Sequence, residues 1–373
     1  MVCQYYPPFA GGKETWVQQV SRRLVHRGHD VTVMTSNIVR NSFSPQSFDS
    51  DSGIRVCRLP VLHNFRLYYA PITLPNLSVL RERYDILHIH EPSSIGVLAT
   101  LVAQRRGLPI FATVYNDPSP FYTYYRGGLN KFFSLGVIVY NHTFFEFKLK
   151  HAKKIFALSE MQMESSPFLR RYRQKVQVVG MGVDPSLFFP GHRNPDTDNY
   201  VLFVGRIDPR KGFEYLLKAL ECIPHVRLVV IGSGPEIEVE RVKRLAEPLG
   251  DRVKFLGSIP HRDLLHHYQR AALVCLPSIH PMETFGGVLL EAMACARPVI
   301  TTTVVGFSDI LEREKAGFVV TPKSSAPLVV AIEKLLTNRE LSEEMGRNGA
   351  RLAERYSYDR ITQTIESAYR SAI

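Results

Sequence analysis

His280-Pro281-Met282-Glu283-Thr284-Phe285-Gly286-Gly287-Val288-Leu289-Leu290-Glu291-Ala292-Met293-Ala294 is the stretch on which the fold is decided. A polar loop runs into two glycines and then into good helix formers, with no β-branched run beyond Val288. The pattern predicts a loop entering a helix near Gly286, with the first backbone N–H groups directed back at the loop. Such an end favours anions, because its orphan donors and the helix dipole both attract negative charge. Glu283 sits just outside that end. Glu291 lies inside the helix, roughly 10 Å further along at about 1.5 Å per residue. The separation suits a long ligand, with a sugar at one carboxylate, a diphosphate at the helix end and a ribose at the other. Spacing alone leaves a second reading open, since two glutamates eight apart are often a solvated helix face.

The run E-T-F-G-G-V-L-L-E-A-M-A-C over residues 283–295 resembles the signature of the retaining family 4 glycosyltransferases of the GT-B fold (glycosyl transferases group 1, phosphatidylinositol mannosyltransferase-like).

With 373 residues, the chain is too long for one core and suits two domains. Its apolar and charged fractions, 45% and 22%, are those of a globular protein. No run approaches the roughly 18 to 20 apolar residues of a membrane span, and the N-terminus lacks the charged-then-apolar order of a signal peptide. Cys3, Cys57, Cys222, Cys275 and Cys295 show no metal-like spacing and read as buried thiols of a reducing cytoplasm. Charge is uneven. Residues 1–190 carry 22 Lys plus Arg against 12 Asp plus Glu, a net of +10; residues 191–373 carry 24 against 23, a net of +1. The first half therefore calls for an anionic partner: nucleic acid, a phosphorylated acceptor or an acidic membrane surface.

Met1–Tyr6 reads as a short strand, clipped relative to such folds, which points to a longer natural start. The turn Pro7-Pro8-Phe9-Ala10-Gly11-Gly12 follows, then a helix from about Lys13 ended by Gly28, then the strand Val31–Met34. This is a βαβ unit with a Gly-Gly loop, as in nucleotide-binding α/β folds. Gly11-Gly12 is either a tight turn or a place of phosphate approach, and it resembles the family's glycine loop. Residues 37–80 read as irregular, with the triplet Asp49-Ser50-Asp51 as a turn and not a metal site. Asp85–Pro92 reads as a strand with His88 and His90 on one face, either a structural pair or two metal ligands lacking a third. The H-I-H-E-P block resembles one bordering the acceptor cleft in the family's mannosyltransferases. Pro109–Tyr115 is the next strand, running into Asn116.

The stretch Phe121–Phe147, with Arg126, Lys131, Lys148 and Lys150, mixes aromatic and basic side chains, as does Phe168–Arg173. Core helices with solvated faces and membrane-surface helices both fit this composition. RNA suits it too, but no nucleic-acid motif is present, so no nucleic-acid partner is expected. Val176–Pro190 resembles the family's interdomain linker. Tyr200–Gly205 opens the second half as a buried strand, and Arg206 and Lys211 flank the turn after it. Two exposed charges are the bland reading; in this place they resemble the family's pair for the donor diphosphate, a guanidinium fork and a mobile ammonium. Gly232-Ser233-Gly234 is too short for a dinucleotide fingerprint.

The resemblance implies an α/β architecture of GT-B type, two doubly wound Rossmann-like domains facing across a cleft. Residues 1–190 would bind the acceptor, 191–355 the nucleotide sugar, and the helix 356–373 would cross back to the first domain. The implied reaction moves a hexose from a nucleoside-diphosphate sugar to an acceptor hydroxyl with retention. Catalytic roles fall to Glu283, Arg206 and Lys211. Donor binding falls to Gly11, Gly12, Gly205, Glu283, Thr284, Phe285, Gly286, Gly287 and Glu291, and the acceptor side to His90, Tyr115 and Asn116. No cofactor and no metal are expected. The expected partners are the nucleotide sugar, a lipid-linked or glycan acceptor and, through the basic first half, the inner face of a membrane. The family's mannosyltransferases usually carry a histidine where this chain has Tyr115. A non-catalytic nucleotide-sugar-binding partner, and a sugar-phosphate phosphorylase or epimerase, remain as alternatives on the same architecture.

Overall fold

Apolar strands alternating with helices assemble two parallel sheets, one in each of two units of the chain. In the computed structural model, residues 1–9, 11–39, 42–43, 48–67, 70–73, 79–80, 82–91, 93, 95–116, 141–192 and 199–373 are described. One unit is Met1–Gly180 with Tyr358–Ile373, the other Met181–Ser357. The divisions fall at 180/181 and 357/358, where the sequence reading put them at 190/191 and 355/356.

In the first unit, β1 (Thr32–Ser36) is followed by the short antiparallel pair β2 (Ile38–Val39) and β3 (Ser42–Phe43). Next come β4 (Phe48–Asp51) and β5 (Ile54–Leu59), then the antiparallel pair β6 (Val61–Leu67) and β7 (Ala70–Thr73). β5 lies parallel to β1, and β4 runs antiparallel at the edge. The strands β8 (Leu87–Glu91), β9 (Ile110–Val114), β10 (Lys154–Ala157) and β11 (Val176–Val178) pair side by side, all parallel. Val2 joins the two groups by pairing with Met34 and with Ile89.

Three expectations are corrected here. The strand over Met1–Tyr6 is shorter than expected: it is a bridge at Val2 whose pairing with β1 runs on through Cys3 N to Met34 O (3.0 Å) and Ser36 N to Gln4 O (3.2 Å), and Pro7 and Pro8 have no N–H to extend a ladder. The region 37–80 is not irregular where it is described, because β5 is a buried strand beside β1. Asp49-Ser50-Asp51 belongs to β4 and is not a turn. Asp51 accepts from Tyr6 Oη (2.9 Å), Gln18 Nε2 (2.7 Å) and Arg22 Nη2 (2.6 Å), tying this edge to the first helix, Gly12–His26.

The last helix, Tyr358–Arg370, belongs to the first unit. It buries Ile361, Ile365 and Tyr369, and Glu366 pairs with Arg27 (3.0 Å) and His29 (2.9 Å). Tyr369 also bonds to His88 Nδ1 under the sheet, and His88 Nε2 meets Thr113 Oγ1 at 2.8 Å. His88 is thus held as a structural residue.

The second unit carries β12 (Tyr200–Val204), β13 (Arg227–Ile231), β14 (Val253–Gly257), β15 (Leu273–Leu276), β16 (Val299–Thr302) and β17 (Gly317–Val320). They form one parallel sheet in the order β14-β13-β12-β15-β16-β17. Being covered on both faces, β12, β15 and β16 are buried at every position. Among the described residues no helix is long and apolar enough to cross a membrane.

Candidate active site

The order of the second sheet reverses direction between β12 and β15, so the loops leaving their carboxyl ends are neighbours. That crevice is where open α/β sheets take ligands. β12 ends at Gly205, whose φ of 147° lets the chain turn sharply while its N–H bonds to Ile231 O at 2.9 Å. Gly232 and Gly234 make the turn fit: a Cβ on either would lie about 2 Å from Gly205 O or Ile207 O. The Gly-x-Gly there serves close packing between two loops.

After Gly205, Asp208 caps the turn Pro209–Lys211 by accepting from Arg210 N (2.9 Å) and gripping the Arg210 guanidinium with both carboxylate oxygens. Burial opposes the charge on Asp208, but the bonds from Arg210 and the charges of Arg210 and Arg206 outweigh it and hold the carboxyl below its ordinary value. Arg210 O accepts from Ile279 N (2.8 Å), fastening the turn to the loop after β15. The outcome is that Lys211 Nζ donates to Glu283 Oε2, with both side chains 20% exposed. Arg206 stands exposed on the same turn.

The predicted helix is present as Gly287–Ala294, capped by Gly286 at φ 87°, ψ 56°. In this left-handed conformation a Cβ would also sit 3.1 Å from Leu289 and Val305 side-chain atoms, so Gly286 answers to both backbone and space. Gly287 has no such need, its nearest neighbour being Met181 Cε at 3.7 Å. Phe285 is buried against Phe307 and Tyr356, which anchors the loop. Glu283 O accepts from Gly306 N at 2.9 Å, and Thr284 lies half-buried beside it. The amides of Gly287 and Val288 have no carbonyl within the helix to donate to, while Leu289 N donates to Gly286 O at 2.8 Å.

Glu291 is not a solvated face residue. Tyr268 Oη donates to its Oε2 at 2.7 Å, and His261 Nε2 lies 2.9 Å from its Oε1. Burial alone would lower the His261 pKa, yet the bond to Glu291 and the charges of Glu291 and Asp184 raise it above the ordinary value. Burial, with the neighbouring carboxylate, drives the Tyr268 phenol far upward, so it stays a donor. Sequence reasoning missed both partners. Nothing local in the sequence ties His261 or Tyr268 to a carboxylate 23 or more residues further on.

In the first unit His90 lies on β8 beside Val2, whose carbonyl accepts from His90 N at 2.8 Å. Gly11 caps the helix Gly12–His26 in an extended conformation open to any residue. Glu14, buried in the first turn, folds back so that its Oε2 would lie 2.2 Å from a Cβ at Gly11, and burial raises its pKa. His90 is fully buried; Nδ1 meets Tyr115 Oη at 3.2 Å, and Nε2 has no partner among the described residues. Trp16 packs edge-on against both rings. Burial pushes the His90 and His88 pKa values well down and that of Tyr115 well up, leaving all three neutral. Asn116 follows, half-buried.

Lys148 corrects one expectation. It is buried against Glu91 at 2.6 Å and donates to Ser93 O at 2.9 Å, so it contributes nothing to a basic surface. Phe168 and Leu169 are likewise buried while Arg170, Arg171 and Arg173 face solvent, with Arg171 paired to Glu146 and Arg173 to Glu164. That stretch is a core helix with a solvated face. Arg126 and Lys131 lie outside the described residues. Among the described residues no three His, Cys, Asp or Glu are grouped to hold a metal ion.

Comparison with known proteins finds two matching family models: Glycosyltransferase Family 4 over residues 10–187 and Glycosyl transferases group 1 over residues 186–352. The chain is 30% identical over 365 residues to O-antigen chain mannosyltransferase C of Escherichia coli, covering 94% of this chain and 91% of that protein. It is 28% identical over 386 residues to phosphatidyl-myo-inositol mannosyltransferase of Mycobacterium leprae, covering 99% and 95%. Sucrose-phosphate synthase from Thermosynechococcus elongatus superposes with a TM-score of 0.78 at 24% identity, covering 99% of this chain and 97% of that one. Anabaena HepE in complex with UDP-glucose superposes with a TM-score of 0.73 at 19% identity, covering 99% and 98%. These structural likenesses show the GT-B fold.

Proposed function

Because the chain belongs to the family 4 glycosyltransferases of glycosyl transferases group 1, we propose that it moves a hexose from a UDP- or GDP-linked sugar to an acceptor hydroxyl, with retention of anomeric configuration. The carrying observation is the meeting of Lys211 and Glu283 at the reversal point of the second sheet, in loops that also carry the exposed Arg206 and lead into the helix at Gly287. A cation there fits a diphosphate, and a carboxylate beside it fits the sugar hydroxyls.

In this account the bond from the anomeric carbon to the diphosphate breaks, and negative charge gathers on the leaving phosphate. Arg206, Lys211 and the first amides of the helix stabilise that charge where it develops. Glu283 orients the sugar, and Glu291 accepts from the ribose hydroxyls. The acceptor oxygen bonds to the anomeric carbon on the face that the phosphate leaves, and the departing phosphate takes its proton. No protein base and no metal ion are called for, because cations and the helix dipole serve the leaving group.

We assign the acceptor to the first unit, with His90, Tyr115 and Asn116 on its side and Gly11-Gly12 as a place of phosphate approach. A lipid-linked or anionic glycan acceptor fits the net +10 of residues 1–190 and the phosphatidyl-myo-inositol named for one relative. Thermal unfolding with a panel of UDP- and GDP-sugars tests the donor assignment, since a ligand that binds only the native state raises the midpoint. A rise with one base family supports it. No rise with any member contradicts it.

A further inference from the structure

The acceptors of Glu291 are counted out before any ligand arrives. An ionised carboxylate offers about four lone-pair positions. Tyr268 Oη occupies one on Oε2 and His261 Nε2 one on Oε1. Each oxygen therefore keeps one acceptor position, and the carboxylate is held at both ends by donors from a different part of the chain. Two remaining acceptors match the two neighbouring hydroxyls of a ribose.

The donors are themselves held. Tyr268 is fully buried on the helix Leu264–Arg270, which Tyr200 fastens by donating from its hydroxyl to His267 O at 2.8 Å. The Phe188 ring stands edge-on to both His261, at 5.0 Å, and Tyr268, at 5.6 Å, packing against one face of the pair. A phenol can only donate to an ionised carboxylate, and His261 presents N–H to Glu291 in either charge state.

We infer that Tyr268 and His261 are positioning residues for nucleotide recognition: together they lock the Glu291 carboxylate in the one orientation that leaves an acceptor for each ribose hydroxyl. The inference rests on the assignment of Glu291 to the ribose. It makes selectivity for ribose over 2′-deoxyribose a property of three residues instead of one.

The test measures dissociation constants for UDP and GDP against their 2′-deoxy analogues, with inorganic pyrophosphate as a probe of the diphosphate site. In the wild type, the nucleotide that binds should be preferred over its deoxy form by roughly tenfold, the size of one hydrogen bond to a charged group. Glu291→Ala should abolish that preference. Tyr268→Phe and His261→Ala should bring it to within about twofold of the Glu291→Ala value, while His261→Gln, which keeps an N–H donor, retains most of it. Pyrophosphate affinity should stay unchanged throughout. If Glu291→Ala loses the preference while His261→Ala and Tyr268→Phe keep it, the locking role is refuted and the ribose assignment stands. If Glu291→Ala keeps the preference, the ribose assignment falls, and the inference with it. His261 lies at the rim, its side chain 44% exposed, so the Ala and Gln pair decides the matter even where Tyr268→Phe unfolds.

Discussion

Lys211 and Glu283 stand 72 residues apart in sequence and meet as an ion pair where the second sheet reverses its order. In the ligand-free protein the ammonium proposed for the diphosphate is neutralised by the carboxylate proposed for the sugar. The two anions compete for the Lys211 ammonium, so donor binding weakens its hold on Glu283.

Lys211→Ala should lower kcat on the order of 10²-fold with a smaller change in KM, because its charge matters most as the leaving group forms. Glu283→Gln should also lower kcat, yet it should tighten nucleoside-diphosphate binding by removing the competing anion. Steady-state kinetics and calorimetry read both effects. A Lys211→Ala enzyme with wild-type kcat would count against the role.

Gly286 and Gly287 should part company on substitution. At φ 87°, Gly286→Ala incurs roughly 1–2 kcal/mol of left-handed strain in addition to its contacts with Leu289, Val305 and Leu276. Its melting temperature should drop by several degrees. Gly287→Ala should melt like the wild type, since the added methyl meets nothing nearer than 3.7 Å, but bind donor more weakly as the side chain crowds the helix end. Equal melting of the two variants would refute the distinction.

Much of this was legible from residue order alone. The run from Gly286 to Ala294 announces a helix start, because glycine and straight-chain residues carry local instructions. β12, β13 and β15 are largely apolar runs, as strands covered on both faces of a parallel sheet are. What escaped was whatever depends on distant partners. β5 sets Arg55 and Arg58 three apart among apolar residues with no strand alternation, and its place beside β1 is a tertiary choice. The burial of Lys148 follows from Glu91, 57 residues earlier. The hold of His261 and Tyr268 on Glu291 joins segments that carry no shared motif.

Tyr115→Phe should act on stability before catalysis. The phenol is buried and bonded to His90 Nδ1, so its removal leaves a buried nitrogen without that partner, at a cost of about 1–3 kcal/mol. Denaturant unfolding should report this loss while kcat changes less than tenfold. A large fall in kcat with unchanged stability would instead place the phenol at the reacting sugar.

His88 and His90 set an acid limit. Both are buried and neutral with depressed pKa values, so below the unfolded value of about 6.5 the unfolded chain binds protons that the native chain refuses. Their contribution is whole above pH 6.5 and is lost as pH falls, at a slope approaching about 1.4 kcal/mol per pH unit for each group. Glu366, held down to about 2 by His29, Arg370 and Arg27 against the burial that raises it, adds a loss below pH 4.5. His261 and Glu14, both shifted upward, act in the opposite sense. Comparing His90→Gln with the wild type isolates one histidine, and the variant should show the shallower slope between pH 6.5 and 4.5. Parallel slopes would contradict the assignment.

Contact with an anionic surface should depend on salt. Co-sedimentation with acidic liposomes should be strong at low ionic strength and weak at high, as screening removes the attraction on the basic residues of 1–190. Binding that is absent, or indifferent to salt, would leave the acceptor side without its membrane partner.

The most direct test of the central claim follows the fate of a radiolabelled nucleotide hexose given to the wild-type protein with a lipid or glycan acceptor extract. The account predicts one nucleoside diphosphate released for each hexose transferred, and a product linkage with the anomeric configuration of the donor. Release of hexose 1-phosphate, an epimerised nucleotide sugar, an inverted linkage, or donor binding without turnover on any acceptor would contradict it.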